Sequence, residues 1–217
     1  MKKLLITLSI CICASINHAQ NANKQFTKSI TAYESFKPAI INTNDGKTIT
    51  MKQANIFLKN GNLLYKSNGR TKQANIKTIK TVNFDDRTYV RADSLLAYVV
   101  DSVGNNLLLC STLIDVETMK GLMDNERIIT SLEIKDIDYV NVMTTEKKAN
   151  EDIEYPLAKT YYFRVGNKTI KAHERNVKAL VAKDKRRMLT SEMSMPGFSW
   201  SNEESCLLYT SDAADDS

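Results

Sequence analysis

Histidine and glycine are scarce in this 217-residue chain, which holds 2 His and 7 Gly beside 3 Pro, 4 Cys and 1 Trp. So few histidines and cysteines, widely spaced, cannot supply the usual ligand set of a structural or catalytic zinc. The scattered glycines form no phosphate-cradling P-loop, and no Asp-x-Asp-x-Asp-Gly run of the EF-hand type is present. With 42% hydrophobic and 25% charged residues the chain is neither disordered nor collagenous. Its 30 basic and 25 acidic side chains give a net charge of +5.

The two ends differ from the middle. Lys2 and Lys3 precede an apolar stretch from Leu4 to Ile16, followed by Ala19 and Gln20. Basic start, apolar centre and small-residue exit are the three regions of a secretory signal peptide, so residues 1–19 are read as one, cleaved after Ala19. The stretch is shorter than the roughly 20 apolar residues of a spanning helix. Cys11 follows Ile10 and Cys13 follows Ile12, whereas an acylated Cys needs a small residue before it; a lipoprotein is therefore the lesser reading. The expectation is export, to the periplasm, the outer surface or the medium. At the other end, Cys206 to Asp215 resembles the translation of a transposase-type sequencing-library adapter, and residues 206–217 are expected to be a non-native tail on a truncated chain. Ser201-Asn202-Glu203-Glu204 has the form of a capping box. No apolar periodicity follows Ser205, so the announced helix is expected not to arrive.

Removing both ends raises the net positive charge by one and leaves Cys110 as the only thiol. An exported chain with one thiol has no internal disulfide, and Cys110, after three leucines, reads as a buried small hydrophobe.

Residues 20–45 are poorly patterned, with Phe26, Ile30, Tyr33 and Phe36 at spacings a short helix could use. From 46 to 205 short β-type runs alternate with turn signals, giving an α+β, β-dominated class: an antiparallel meander or hairpin sheet, sandwich or partial barrel. A two-residue loop at Asn60-Gly61 would pair Leu58 with Leu63 and Ile56 with Tyr65, making a ribbon apolar on both faces. Lys-Gln-Ala-Asn-Ile occurs at 52–56 and again at 72–76, too few copies for a repeat array. Further hairpins are expected around Asp85 to Thr88, Asp101 to Asn106 and Gly166-Asn167. The last pairs Val165 with Lys168 and Phe163 with Ile170. Asp115 should cap a short helix near 116–124, with Ile114 stapled onto Met119. Strands are expected at Ile128 to Ile134 and Tyr139 to Met143, then an exposed stretch or lobe boundary near 145–154. A basic amphipathic helix is expected near 174–190, with Val177, Leu180, Val181 and Met188 as its stripe. Phe198 and Trp200 should anchor the segment beyond it.

Three chemical readings compete. His173, beside Glu174 and Arg175, is the one histidine available to a triad, yet it falls at a strand-to-helix junction where a capping role is the default. Asp85-Asp86, with Asp136 and Asp138, suggests a carboxylate pair, against which stands the turn preference of aspartate. Lys183, Lys185, Arg186 and Arg187, with Arg164, Lys168, Lys171, Arg175 and Lys178 nearby, form a basic surface that could touch anionic lipid or polysaccharide. No nucleic-acid module accompanies that charge.

The body of the chain resembles small exported β-rich proteins of unknown activity from Gram-negative bacteria, by its Lys-Lys start, Ala-Gln junction and Trp-containing end. The resemblance identifies no activity; the lack of a recognisable catalytic or metal-ligating set leads instead to the expectation of a non-catalytic binding or structural β-domain of the cell envelope, with a protein, glycan or envelope component as partner. The resemblance assigns no cofactor and no catalytic residue. The alternative is a secreted hydrolase using His173 or the carboxylates at Asp85 and Asp86. The weaker alternative is a peripheral binder of anionic membrane surface.

Overall fold

A computed structural model gives the fold and describes residues 25–126, 154–181 and 183–212. The expected signal peptide, the strands at 128–134 and 139–143, Asp136, Asp138 and all but the last residue of the 145–154 stretch lie outside the described residues.

The class expected from sequence is the class observed. Eleven strands make one antiparallel sheet: β1 (Gln25–Thr27), β2 (Lys37–Thr43), β3 (Thr48–Phe57), β4 (Asn62–Ser67), β5 (Arg70–Gln73), β6 (Ile79–Asn83), β7 (Thr88–Ala92), β8 (Leu95–Val103), β9 (Asn106–Ile114), β10 (Tyr155–Val165) and β11 (Lys168–Lys171). The spatial order is β1-β10-β9-β8-β7-β6-β2-β3-β4-β5, with β11 also on β10. Among the described residues four α-helices accompany the sheet: α1 (Val116–Glu126), α2 (Glu174–Leu180), α3 (Arg186–Met193) and α4 (Glu203–Asp212). A 3-10 turn at Ile76–Thr78 leads into β6.

The sheet stays open but curls. Gly61 in the β3–β4 loop accepts a hydrogen bond from the Leu96 amide (2.9 Å), and Leu58 accepts one from Ile114 (2.8 Å), although β3 and β4 are distant from β8 and β9 in strand order. Gly61 permits this approach: its φ is +70°, and an added Cβ would sit 2.8 Å from that of Leu95. The loop is longer than a two-residue turn, so Phe57 pairs with Asn62 and Ile56 with Leu63. The expected register is thus off by two residues, which keeps every side chain on its face. Both faces of the ribbon are buried as expected, Ile56 and Leu63 in one cluster and Phe57 and Leu64 in another.

Register partners share a face, and one row crosses much of the sheet: Ile41, Val82, Tyr89, Tyr98, Cys110 and Tyr161. Val90, Ala92, Ala97 and Leu109 form a smaller cluster, against which Tyr162 packs. Fully buried leucines such as Leu63, Leu64 and Leu108 each stabilise the fold by about 2 kcal/mol.

Several local expectations hold. The Gly166-Asn167 hairpin has the predicted register, Val165 with Lys168 and Phe163 with Ile170. Asp115 caps α1 through the Thr118 amide (3.0 Å), and Ile114 and Met119 lie in one buried cluster. Phe198 and Trp200 pack edge to face, 4.9 Å between ring centroids.

Others are corrected. Residues 28–36 form no helix; Asn55, fully buried, instead accepts the Tyr33 amide (3.1 Å) and donates to the Tyr33 carbonyl (2.9 Å), pinning an irregular segment across β3. The β8–β9 turn is only Gly104 and Asn105, because a bulge near Val100 lets Asp101, Ser102 and Val103 continue the ladder. The basic helix comes as two, α2 and α3. The Val181 amide closes α2 on Val177, and Arg186 donates Nε to the Val181 carbonyl at 3.2 Å. The break changes the helical phase, so Leu189 is buried and Met188 is 58% exposed. Finally, the helix after Ser205 does form: Asn202, not Ser201, caps α4 by accepting the Glu204 amide at 2.8 Å, and Cys206 and Tyr209 are buried against Tyr161 and Phe163.

Candidate functional site: a basic cleft

The sequence-predicted residues do not form one site. His173 is exposed and acts as the N-cap of α2, its Nδ1 accepting the Arg175 amide at 3.3 Å. Asp85 and Asp86 do converge, on Lys37, whose Nζ lies 3.2 and 3.5 Å from them. Asp86 also accepts the Tyr33 hydroxyl at 3.0 Å. Burial works to raise the Asp86 carboxyl, but the Tyr33 hydroxyl, a backbone amide and Lys37 outweigh it and hold the group below its ordinary value. This is a salt-bridged hairpin tip, with Phe84 packed on Tyr33 and Tyr89 behind. The run at Lys183, Lys185, Arg186 and Arg187 is divided by the break before α3, and Arg186 is turned onto Val181. Among the described residues, no group of three or more His, Cys, Asp or Glu could hold a metal ion.

A different constellation forms where the curl brings β10–β11 opposite β6–β7. There an open cleft of about 740 Å³ is lined by Lys80 from β6, Arg91 from β7, Asp93 from the β7–β8 turn, Tyr162 and Arg164 from β10, and Thr169 and Lys171 from β11. Asn44, Ile79 and the Gly166-Asn167 turn complete the wall.

The two arginines are held by a relay of backbone carbonyls. The Lys77 carbonyl, presented by the 3-10 turn, accepts from Asn44 Nδ2 (2.7 Å) and Arg91 Nη1 (3.3 Å). Arg91's own carbonyl accepts from Arg164 Nη2, and Arg164 Nε donates to Thr169 Oγ1 at 3.1 Å. Asn75 makes the turn possible by accepting the Lys77 amide at 3.1 Å. Both guanidinium groups are therefore oriented before any ligand arrives, and among the described residues their remaining N–H donors have no further partner.

The electrostatics are unbalanced. Lys80, Arg91, Arg164 and Lys171 face one carboxylate, Asp93, and none of the five is ion-paired among the described residues. Burial, and then the Arg91 charge, push the Arg164 guanidinium below its ordinary value. An arginine still carries its proton at neutral pH after such a shift, so the cleft holds fixed positive charge that an anion would relieve.

Of these residues, Arg164 and Lys171 stand within the basic surface expected from sequence. Lys80, Arg91, Asp93 and Asn44 carry no local signal, because sheet curvature alone makes them neighbours. No protein-family model, curated protein or solved structure matches the chain, so the site is read from its own geometry.

Proposed function

We propose that this chain is an exported, non-catalytic β-domain of the bacterial cell envelope that binds an anionic partner in the cleft between β6–β7 and β10–β11. The observation that carries the reading is the convergence of four cations from two hairpins without a compensating ion pair among the described residues, two of them held by hydrogen bonds to backbone carbonyls. Oriented arginine forks match carboxylate, sulfate and phosphate groups better than mobile ammonium groups do. The signal-peptide pattern at 1–19 supports an envelope address.

A hydrolase built on His173 would have to use an imidazole engaged in a helix cap, and one built on Asp85 and Asp86 would have to use carboxylates held by Lys37. Contact with an anionic membrane surface through Lys183, Lys185, Arg186 and Arg187 carries less weight than the cleft, since Arg186 is turned inward.

Calorimetric titration with tripolyphosphate tests the reading. Binding should weaken as salt rises, and Arg91→Ala with Arg164→Ala should cut affinity by about a hundredfold, as two charge-assisted hydrogen bonds require. Absence of binding at low salt to any multivalent anion, carboxylated or phosphorylated, would overturn it.

A further inference from the structure

We infer that the ligand of this cleft is an acidic oligosaccharide, a chain bearing anionic groups and hydroxyl groups together. The inference rests on the anion-binding reading above and goes further on one observation: Asp93 stands among the cations with no ion-pair partner among the described residues. A site for a bare polyanion has no use for a carboxylate, which repels the ligand. A carboxylate accepts hydrogen bonds from hydroxyl groups, however, and the alternation of fixed cations with one strong acceptor matches a sugar acid, whose anionic groups are spaced by hydroxyls.

Asp93 is placed there by the backbone. It lies at φ 57°, in the left-handed region that Asp and Asn tolerate among non-glycine residues, within the two-residue turn that joins Ala92 to Leu95. The cleft's remaining polar lining suits hydroxylated ligands too. Asn167, at the tip of the β10–β11 hairpin, offers an amide that both donates and accepts, beside Gly166, where nothing approaches within 4 Å of an added Cβ. Tyr162 offers a partly exposed ring at the cleft wall, a surface on which sugar C–H groups pack. The open form of the cleft fits a short segment of a longer chain rather than an enclosed small molecule.

The test titrates the full chain with trigalacturonate, tripolyphosphate and maltotriose at one salt concentration. Trigalacturonate should bind about tenfold tighter than tripolyphosphate, the equivalent of one added charge-assisted hydrogen bond, with maltotriose weaker than both. Asp93→Asn keeps the left-handed turn and should narrow that preference by strengthening tripolyphosphate binding. Tripolyphosphate binding as tightly as trigalacturonate, or a preference unchanged in Asp93→Asn, would overturn the oligosaccharide inference and leave the anion site standing. Binding of neither anion would remove both.

Discussion

Arg164, on β10, donates its guanidinium to the backbone carbonyl of Arg91, on β7, 73 residues earlier in the chain. Two cations thus come together through a dipole, not through a shared counterion. The carbonyl moderates the repulsion and fixes the Arg164 fork, and Thr169 fixes its other edge. What remains is a concave surface with positive charge built in.

Arg164→Lys should separate the two roles. Lysine keeps the charge but cannot span Thr169 and the Arg91 carbonyl with a rigid fork. Urea denaturation should show a loss of about 1 kcal/mol, and anion affinity should fall although net charge is unchanged.

Asn55→Ala should be among the most damaging single polar substitutions. The Asn55 amide serves the Tyr33 and Ile56 backbone N–H groups and the Tyr33 and Ser35 carbonyls from a fully buried position. Removing it leaves buried backbone groups without partners, at about 3 kcal/mol by chemical denaturation.

Asp86 should make the fold sensitive to acid. Its carboxyl lies below its ordinary value of 3.8 when folded, so its contribution is complete above that value and is lost as pH falls through the depressed one. Asp86 is 43% exposed, so solvent limits the effect to about 0.5 kcal/mol. Asp86→Asn should flatten stability between about pH 4 and pH 2, measured by thermal melts across that range; an unchanged acid limb would contradict the network with Tyr33 and Lys37.

Trp200, the only tryptophan, reports on the end of the fold. Tyr209 is buried, lies 5.3 Å from it, ring to ring, and packs edge to face on the half-buried Phe198. Tyr209→Ala should shift Trp200 emission to longer wavelength and cost about 3 kcal/mol. In the same helix the Cys206 thiol is pushed up to about 12, by burial first and then by Cys110 and Glu203. Alkylation of Cys206 near neutral pH should therefore wait on unfolding.

Local patterns carried most of the fold. Gly166-Asn167 fixed its hairpin register because two-residue loops leave one choice, and Asp115 marked α1 because a capping oxygen has one use there. The failures share a cause in long-range contacts. Phe26, Ile30, Tyr33 and Phe36 mimic helical spacing, yet Tyr33 turns to Phe84 while Ile30 and Phe36 join Phe57, and Asn55 holds the backbone between them. Met188 continues the stripe of Val177 and Val181 only if the helix is unbroken, and Arg186 ends it. The cleft was the least legible part. Lys80 and Arg91 look like ordinary outward residues of a meander until the sheet curls to set them opposite Arg164.

Amide shifts recorded while trigalacturonate is added test the central claim most directly. The account predicts saturable shifts concentrated at Lys80, Arg91, Asp93, Arg164, Gly166 and Lys171, abolished by Arg91→Ala with Arg164→Ala. Saturable shifts centred instead on the Asp85–Asp86 tip or the α2–α3 turn, or none at low salt, would contradict it.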